Sequence, residues 1–300
     1  GLAFYELLKD TLKKEGKKGF LTLYHWDLPQ YLENKGGWLN RQTAYDFADY
    51  CALIGQRLGN KVDAYTTLNE PFCAGYLGYE LGIHAPGLTG KKNGRQASHH
   101  LMLAHGLAVQ VLRQHCPEAD IGIVINIHPG YPLSQSADDI AATQMGGEYL
   151  FYWYLDPLLK QSYPSVIEHL NASEQPDILP GDMAIIAQPL DFIGMNYYTR
   201  NVYTMNAQGW FEIVPPSHGN LTEMGWEIVP EAMTEMLVTL HNEYDLPPLY
   251  ITENGAAMPD KLENKRVMDQ NRIAYFQSHL LAVHNAMEQG VNIKGYFAWS

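Results

Sequence analysis

Cysteine is scarce: 300 residues hold three, Cys51, Cys73 and Cys116, and none stands in a CxxC pair. That excludes a disulfide framework and a thiolate zinc knot, and an odd count without close pairing fits a reducing, cytoplasmic setting. Positive charge is scarce as well, with 20 Lys and Arg against 33 Asp and Glu for a formal charge of -13. The basic doublets Lys13-Lys14, Lys17-Lys18 and Lys91-Lys92 are too short to make a nucleic-acid surface, and the acidity disfavours polyanionic substrates. No apolar run approaches the roughly twenty residues of a membrane helix, so no membrane partner is expected. No signal or transit peptide is visible, but the first residues already read as helix interior and the last six stop where a strand would deliver its tip. A chain lacking its natural ends is therefore expected, and the missing leader says little about secretion. No GxGxxG or GxxxxGK[ST] follows an apolar run, and there is no HExxH, so nucleotide and metal readings are weak and no cofactor is expected.

Hydrophobic residues make up 46% of the chain and charged ones 18%, the balance of a folded globular protein. Apolar runs at 20–24, 62–68, 121–125, 191–195, 249–252 and 291–299 read as strands. Between them, helical periodicity predicts helices at 2–14, from Asn40 or Arg41 to Leu58, and at 96–115, 138–160, 231–244 and 265–289. In the first helix, Leu2, Phe4-Tyr5, Leu7-Leu8 and Leu12 are spaced for one buried face. Residues 75–94 read as a long functional loop, 164–181 as irregular, and 200–226 as a hairpin or loop. The aromatics at 149–154 read as core, and Cys51 as helix interior. His105, His115 and His241 read as packing or surface residues.

Six short apolar strands alternating with helices predict a parallel α/β architecture. Polar residues fall at the ends of at least five strands: His25, Asn69-Glu70, Asn196 to Tyr198, Glu253 and Trp299. A barrel draws its catalytic groups from many strand ends, whereas a doubly wound sheet concentrates them at one crossover, so the distribution favours a barrel. Glu at the end of an apolar strand is costly unless paired or used. Each of Glu70 and Glu253 could simply cap the next helix or loop. Together, with Asn, His and Trp around them, two carboxylates suit glycosidic bond cleavage. Aromatic faces stack on sugar rings, and neutral sugars fit the charge balance.

HWDLPQ at 25–30, GGW with NR at 36–41, TLNEP at 67–71, GY with GxHAPG near 82–87, GMNYYTR at 194–200, YITENG at 250–255 and GYFAWS at 295–300 resemble, in order, the family 1 glycoside hydrolases. These are the retaining β-glucosidases and their relatives, and the resemblance covers essentially the whole chain. It implies a (β/α)8 TIM barrel of which residues 1–300 form one incomplete catalytic domain. The runs correspond to strands three to eight, without the first two strands or the C-terminal tail. It implies Glu70 as general acid/base and Glu253 as nucleophile, about 5–5.5 Å apart. Asn69 would hold the 2-hydroxyl, His25 and Trp26 the neighbouring hydroxyls. Tyr198 would bond Glu253, Asn196 would support it, and Trp299 would floor the ring. Tyr76, His84 and Trp226 would lie on the entrance or aglycone side. Cys73, just past the Glu70 motif, could line the pocket but is given no part in the chemistry. The implied activity is hydrolysis of β-glucosides and related neutral β-glycosides, with a small β-glycoside or short oligosaccharide as the partner. The alternatives are a phospho-β-glycosidase of the same family, or an inactive fragment or sugar-binding protein.

Overall fold

Every apolar run read as a strand forms one in the computed structural model, which describes residues 1–216 and 219–299. Ser300, the end of the GYFAWS run, lies outside the described residues. In chain order the elements are α1 (Leu2–Lys14), β1 (Phe20–Tyr24), α2 (Gln30–Glu33), α3 (Gln42–Leu58), β2 (Ala64–Asn69), α4 (Lys91–His115), β3 (Asp120–Ile127), β4 (Gly130–Pro132), α5 (Ala137–Gly147) and α6 (Trp153–Leu159). There follow α7 (Asp182–Ile186), β5 (Phe192–Tyr197), β6 (Asn201–Met205), β7 (Phe211–Val214), α8 (Pro230–Glu243), β8 (Leu249–Asn254), β9 (Leu262–Glu263), β10 (Arg266–Val267), α9 (Gln270–Glu288) and β11 (Ile293–Ala298).

The main sheet has the order β1-β2-β3-β5-β8-β11, and β1/β2, β2/β3 and β8/β11 pair in parallel. Each strand neighbours the next main strand along the chain, with no reversal. A doubly wound sheet would turn back at a switch point. The unbroken order is that of a (β/α) barrel, so the fold is α/β with six parallel strands of that kind.

By its internal contacts the chain divides into two compact units, Gly1–Ile125 with Tyr152–Ile193, and Asn126–Phe151 with Gly194–Ser300. In the first, all six residues of β2 are buried, as a parallel sheet covered on both faces requires. Cys51, Ile54 and Leu58 of α3 and Leu101, Ala108 and Leu112 of α4 are almost wholly buried. The Arg41 guanidinium grips Asp182 through two hydrogen bonds, and Asp182 also meets His99 Nε2 at 2.9 Å. Helix α4 starts at Lys91, earlier than periodicity indicates. The long loop expected before it is shortened by a π-helical turn, Cys73–Leu77, and a bridge between Leu81 and Thr89.

The first helix forms where predicted but does not bury its apolar residues. Phe4 and Leu7 are 64% and 67% exposed, and the buried side chain of α1 is Lys9, paired with Asp63 at 3.2 Å. Spacing reveals an amphipathic face, not whether something covers it.

In the second unit, β6 and β7 make the antiparallel hairpin foreseen between 200 and 226, and β4 lies parallel to β6. Tyr203 of β6 packs its ring against Gly146 of α5. Of the aromatics at 149–154 read as core, Tyr149 and Phe151 are buried in this unit and Trp153 and Tyr154 in the first, while Tyr152 is half-buried. The helix expected there does run without a gap from Ala137 to Leu159, with a π-helical turn, Glu148–Tyr152, inside it. The helix expected from 265 starts at Gln270 instead. Asn264 and Lys265, at φ 52° and 62°, turn the chain between β9 and β10, a left-handed pair that no helix accepts.

Candidate active site

Of the first unit, His25, Trp26, Asn69 and Glu70 stand at the ends of β1 and β2. Two of them have left-handed backbone, Trp26 at φ 77° and Glu70 at φ 46°. Such conformations cost about 1–3 kcal/mol in residues other than glycine and persist where their surroundings over-determine them. The constraints are visible. Tyr24 Oη donates to the Trp26 carbonyl at 3.1 Å while accepting from Trp38 Nε1 at 3.0 Å. Trp26 Nε1 donates to the Asn69 carbonyl at 3.0 Å, and the Asn69 amide reaches His25 Nε2 at 3.3 Å. The Glu70 N–H donates to the Val124 carbonyl of β3 at 2.9 Å. The two strand tips are thus laced together through the very residues read as sugar-binding.

Glu70 is buried, with 6% of its surface exposed. Cys73 Sγ donates to its Oε2 at 3.1 Å. Of the candidates on the entrance side, His84 lies with its ring 5.5 Å from that of Trp26. Tyr76 stacks on Phe72 at 5.0 Å and receives the Arg95 guanidinium on its face at 5.4 Å.

Of the second unit, Glu253 is the next-to-last residue of β8 and is buried. Tyr198 Oη donates to its Oε2 at 2.5 Å, the short distance of a bond to an ionised acceptor. Asn196, at the end of β5, accepts from Thr252 Oγ1 at 2.6 Å, so both side chains flanking the carboxylate in sequence or space are fixed. The Trp226 ring stands 5.2 Å from that of Tyr198. It is carried by a loop that Arg200 holds through paired bonds to Glu227 at 2.9 and 3.1 Å. Trp299 is 47% exposed, and its N–H donates to the Asn254 carbonyl at 3.0 Å.

Asn254 carries no role in the sequence reading, although it stands within the YITENG run. This residue is fully buried. Its amide donates to the Tyr197 carbonyl at 2.8 Å and to Tyr275 Oη at 2.9 Å, and its Oδ1 accepts from Tyr296 Oη at 2.5 Å. Glu253, Tyr198, the Tyr197 carbonyl and Asn254 therefore close a ring of covalent and hydrogen bonds around the carboxylate. Gly255, next in the run, is required by close approach: a Cβ there would stand 2.1 Å from the Trp299 carbonyl oxygen. Asn126, also unforeseen, keeps its Oδ1 buried without a partner near the end of β3. Among the described residues, no group of three or more His, Cys, Asp or Glu side chains is placed to hold a metal ion. Among those residues, too, no helix is long and apolar enough to cross a membrane.

Comparison with known proteins places this arrangement. The family model described as glycosyl hydrolase family 1 matches residues 1–300. The chain is 38% identical over 305 residues to the β-glucosidase of Agrobacterium sp. strain ATCC 21400, covering all of itself and 66% of that protein. It is 39% identical over 328 residues to the bifunctional β-D-glucosidase/β-D-fucosidase of Bifidobacterium breve, 70% of which it covers. Among solved structures, the AHE enzyme of Alicyclobacillus herbarius matches at a TM-score of 0.95 and 42% identity, with all of this chain and 68% of that one covered. The family 1 β-glucosidase of Thermotoga maritima in complex with isofagomine lactam matches at 0.95 and 38%, over the same shares. The chain spans about two thirds of the length of the relatives it matches. With every residue matched by the model and both carboxylates standing in the runs that carried the resemblance, the chain belongs to glycosyl hydrolase family 1.

Proposed function

We propose that the chain carries a retaining β-glycosidase site that hydrolyses β-glucosides and related neutral β-glycosides by double displacement. The observation that carries this reading is the buried Glu253 carboxylate held by the Tyr198 hydroxyl at 2.5 Å. A hydrogen bond of that kind favours the ionised form and fixes which oxygen faces outward, which is what a nucleophile needs.

In the first step Glu70 gives its proton to the glycosidic oxygen while Glu253 attacks the anomeric carbon. The bond to the leaving group breaks and a glycosyl ester forms on Glu253. In the second step Glu70, now ionised, takes a proton from water, whose oxygen attacks the same carbon and releases Glu253. Asn69 holds the 2-hydroxyl, His25 and Trp26 the neighbouring hydroxyls, Asn196 supports the nucleophile, and Trp299 lies under the ring. Tyr76, His84 and Trp226 contact the aglycone. Both compact units belong, in this reading, to one catalytic domain. Three buried cysteines, none in a disulfide among the described residues, support a cytoplasmic setting.

The test is release of nitrophenol from an aryl β-glucoside by this chain beside its Glu253→Ala variant. The parent should turn over, the variant should not, and azide should restore release with the α-glucosyl azide as product. NMR of the first sugar released by the parent should show the β-anomer. An α-anomer would refute double displacement.

A further inference from the structure

Glu70 is followed by a turn wider than an α-helix. After Pro71 the chain winds Cys73–Leu77 as a π-helical turn, a rare form frequent at functional sites. Cys73 begins that turn, and it holds Glu70 twice. Its N–H donates to the Glu70 carbonyl at 2.9 Å, and its Sγ donates to the carboxylate Oε2 at 3.1 Å. Because Glu70 is at φ 46°, its side chain leaves the strand in a direction set by these contacts and not by the pleat.

The turn itself has no room to shift. Gly75 lies so close to α4 that a Cβ would stand 2.4 Å from Ser98 Oγ. Phe72 and Tyr76 stack one turn apart, and Phe72 meets Tyr154 edge-on at 6.3 Å. The fully buried Arg95 bonds Glu80 and fills the space between Tyr76 and Trp153, 5.4 and 4.6 Å from their ring centres. The thiol is thus held where it is. The other two thiols are differently placed: Cys51 is packed within α3, and Cys116 Sγ points to the Gly55 carbonyl at 3.7 Å.

We propose that Cys73 is a positioning residue that sets the proton affinity of Glu70, its S–H favouring the ionised carboxylate. The proposal rests on Glu70 as the acid/base of the reaction proposed above. That role needs a carboxyl able to give a proton in one step and to take one in the next. A strong fixed donor would favour the second step at the expense of the first. A thiol is a weak donor, so the bias it imposes is small. Replacing it with alanine removes the bias, and replacing it with serine enlarges it.

Two measurements test this, one of them independent of turnover. The S–H stretch of Cys73, identified as the band lost in Cys73→Ala, should lie below those of Cys51 and Cys116. It should rise in Glu70→Gln, which leaves the thiol in place, and should also rise on acidification as Glu70 takes its proton. A band that ignores both changes overturns the proposal. The kinetic arm follows the alkaline limb of kcat/KM on an aryl β-glucoside. It should move up by about half a pH unit in Cys73→Ala and down in Cys73→Ser, with the native chain between them. A purely structural role would lower the rate in both variants and leave the limb where it is, and that result also refutes the proposal. If no β-glucoside is cleaved by any form, the functional reading fails instead, and the response of the band to pH still decides whether Cys73 senses the proton on Glu70.

Discussion

His100, His105 and His128 are kept neutral by burial, and mild acid is the perturbation that exposes the cost. Burial pushes His105 down to about 3 and His100 and His128 down to about 4, from an ordinary value of 6.5. The surroundings of two of them show why a second proton is unwelcome. His105 Nδ1 meets Thr67 Oγ1 at 2.7 Å, and its Nε2 is buried with no acceptor. His100 Nδ1 bonds the Trp38 carbonyl at 2.8 Å, and its Nε2 faces the Gln96 amide nitrogen at 2.9 Å. Gln96 cannot turn its oxygen toward the ring without losing the Asp177 N–H, which that oxygen accepts at 2.8 Å. All three histidines have folded pKa values below the unfolded one, so the unfolded chain binds protons first as pH falls. Stability is complete above about pH 6.5 and is lost progressively down to about pH 4 for two of them and pH 3 for the third. Each pH unit in that window costs about 1.4 kcal/mol per histidine, which makes about 2 kcal/mol each at pH 5 and about 6 kcal/mol together. That rivals the whole stability of many domains, roughly 5–15 kcal/mol. Urea denaturation at pH 8, 7, 6 and 5 should show the fall, and His105→Gln should make its slope shallower by less than a third, because burial also holds His99 and His279 below their ordinary value. The Asp182 carboxyl, held down to about 2 by Arg41 and His99 despite its burial, begins to count only below its ordinary 3.8 and leaves this window clear. A loss below about 2 kcal/mol between pH 8 and pH 5 would refute the argument.

Tyr198→Phe removes the hydroxyl that bonds Glu253. The expected result is a fall in kcat/KM of about tenfold to a hundredfold, with the acidic limb of the pH profile moved upward. Gly255→Ala drives a Cβ into the Trp299 carbonyl, a main-chain atom that cannot rotate away. Thermal unfolding should register a loss of about 1–3 kcal/mol, and an unchanged melting temperature would contradict the close packing of β8 and β11. Arg41→Ala leaves Asp182, with 1% of its side chain exposed, deprived of its guanidinium. Breaking a buried pair in this way costs about 3–5 kcal/mol, measured by urea denaturation at pH 7.

Strands were legible because each is a short apolar run closed by a polar residue, a pattern that burial on both faces explains for the inner strands β2, β3 and β5. The strand-tip candidates were legible for a related reason: Glu70 and Glu253 fall at the ends of apolar runs, where a charge is costly unless it is paired, caps the next element or is used. What escaped were properties of contact. Spacing in residues 2–14 revealed an apolar face but not its exposure at Phe4 and Leu7. The turn at Asn264 and Lys265 defeated a helix read from 265 because Lys265 is an ordinary helix surface type until its backbone is seen. Asn254 drew no notice, and Cys73 was read as a pocket-lining residue without a part in the chemistry, because what sets both apart is their hydrogen-bond partners. Those of Asn254 come from three separate segments, at Tyr197, Tyr275 and Tyr296. Trp26 was read as a sugar contact, and in the structure its indole N–H is committed to the Asn69 carbonyl.

The ring formed by Glu253, Tyr198, the Tyr197 carbonyl and Asn254 has a consequence for the cost of moving charge. Water must reorient its dipoles each time a carboxylate gains or loses its negative charge. Here the dipole facing Glu253 belongs to the Tyr198 phenol, and the neighbouring Tyr197 carbonyl is tied through Asn254 to α9 and β11. In the reaction proposed above, that phenol stands in the same place whether the oxygen is ionised or esterified, so little reorganisation would accompany bond formation. The work of orienting it would be done once, during folding, and not repeated at each turnover.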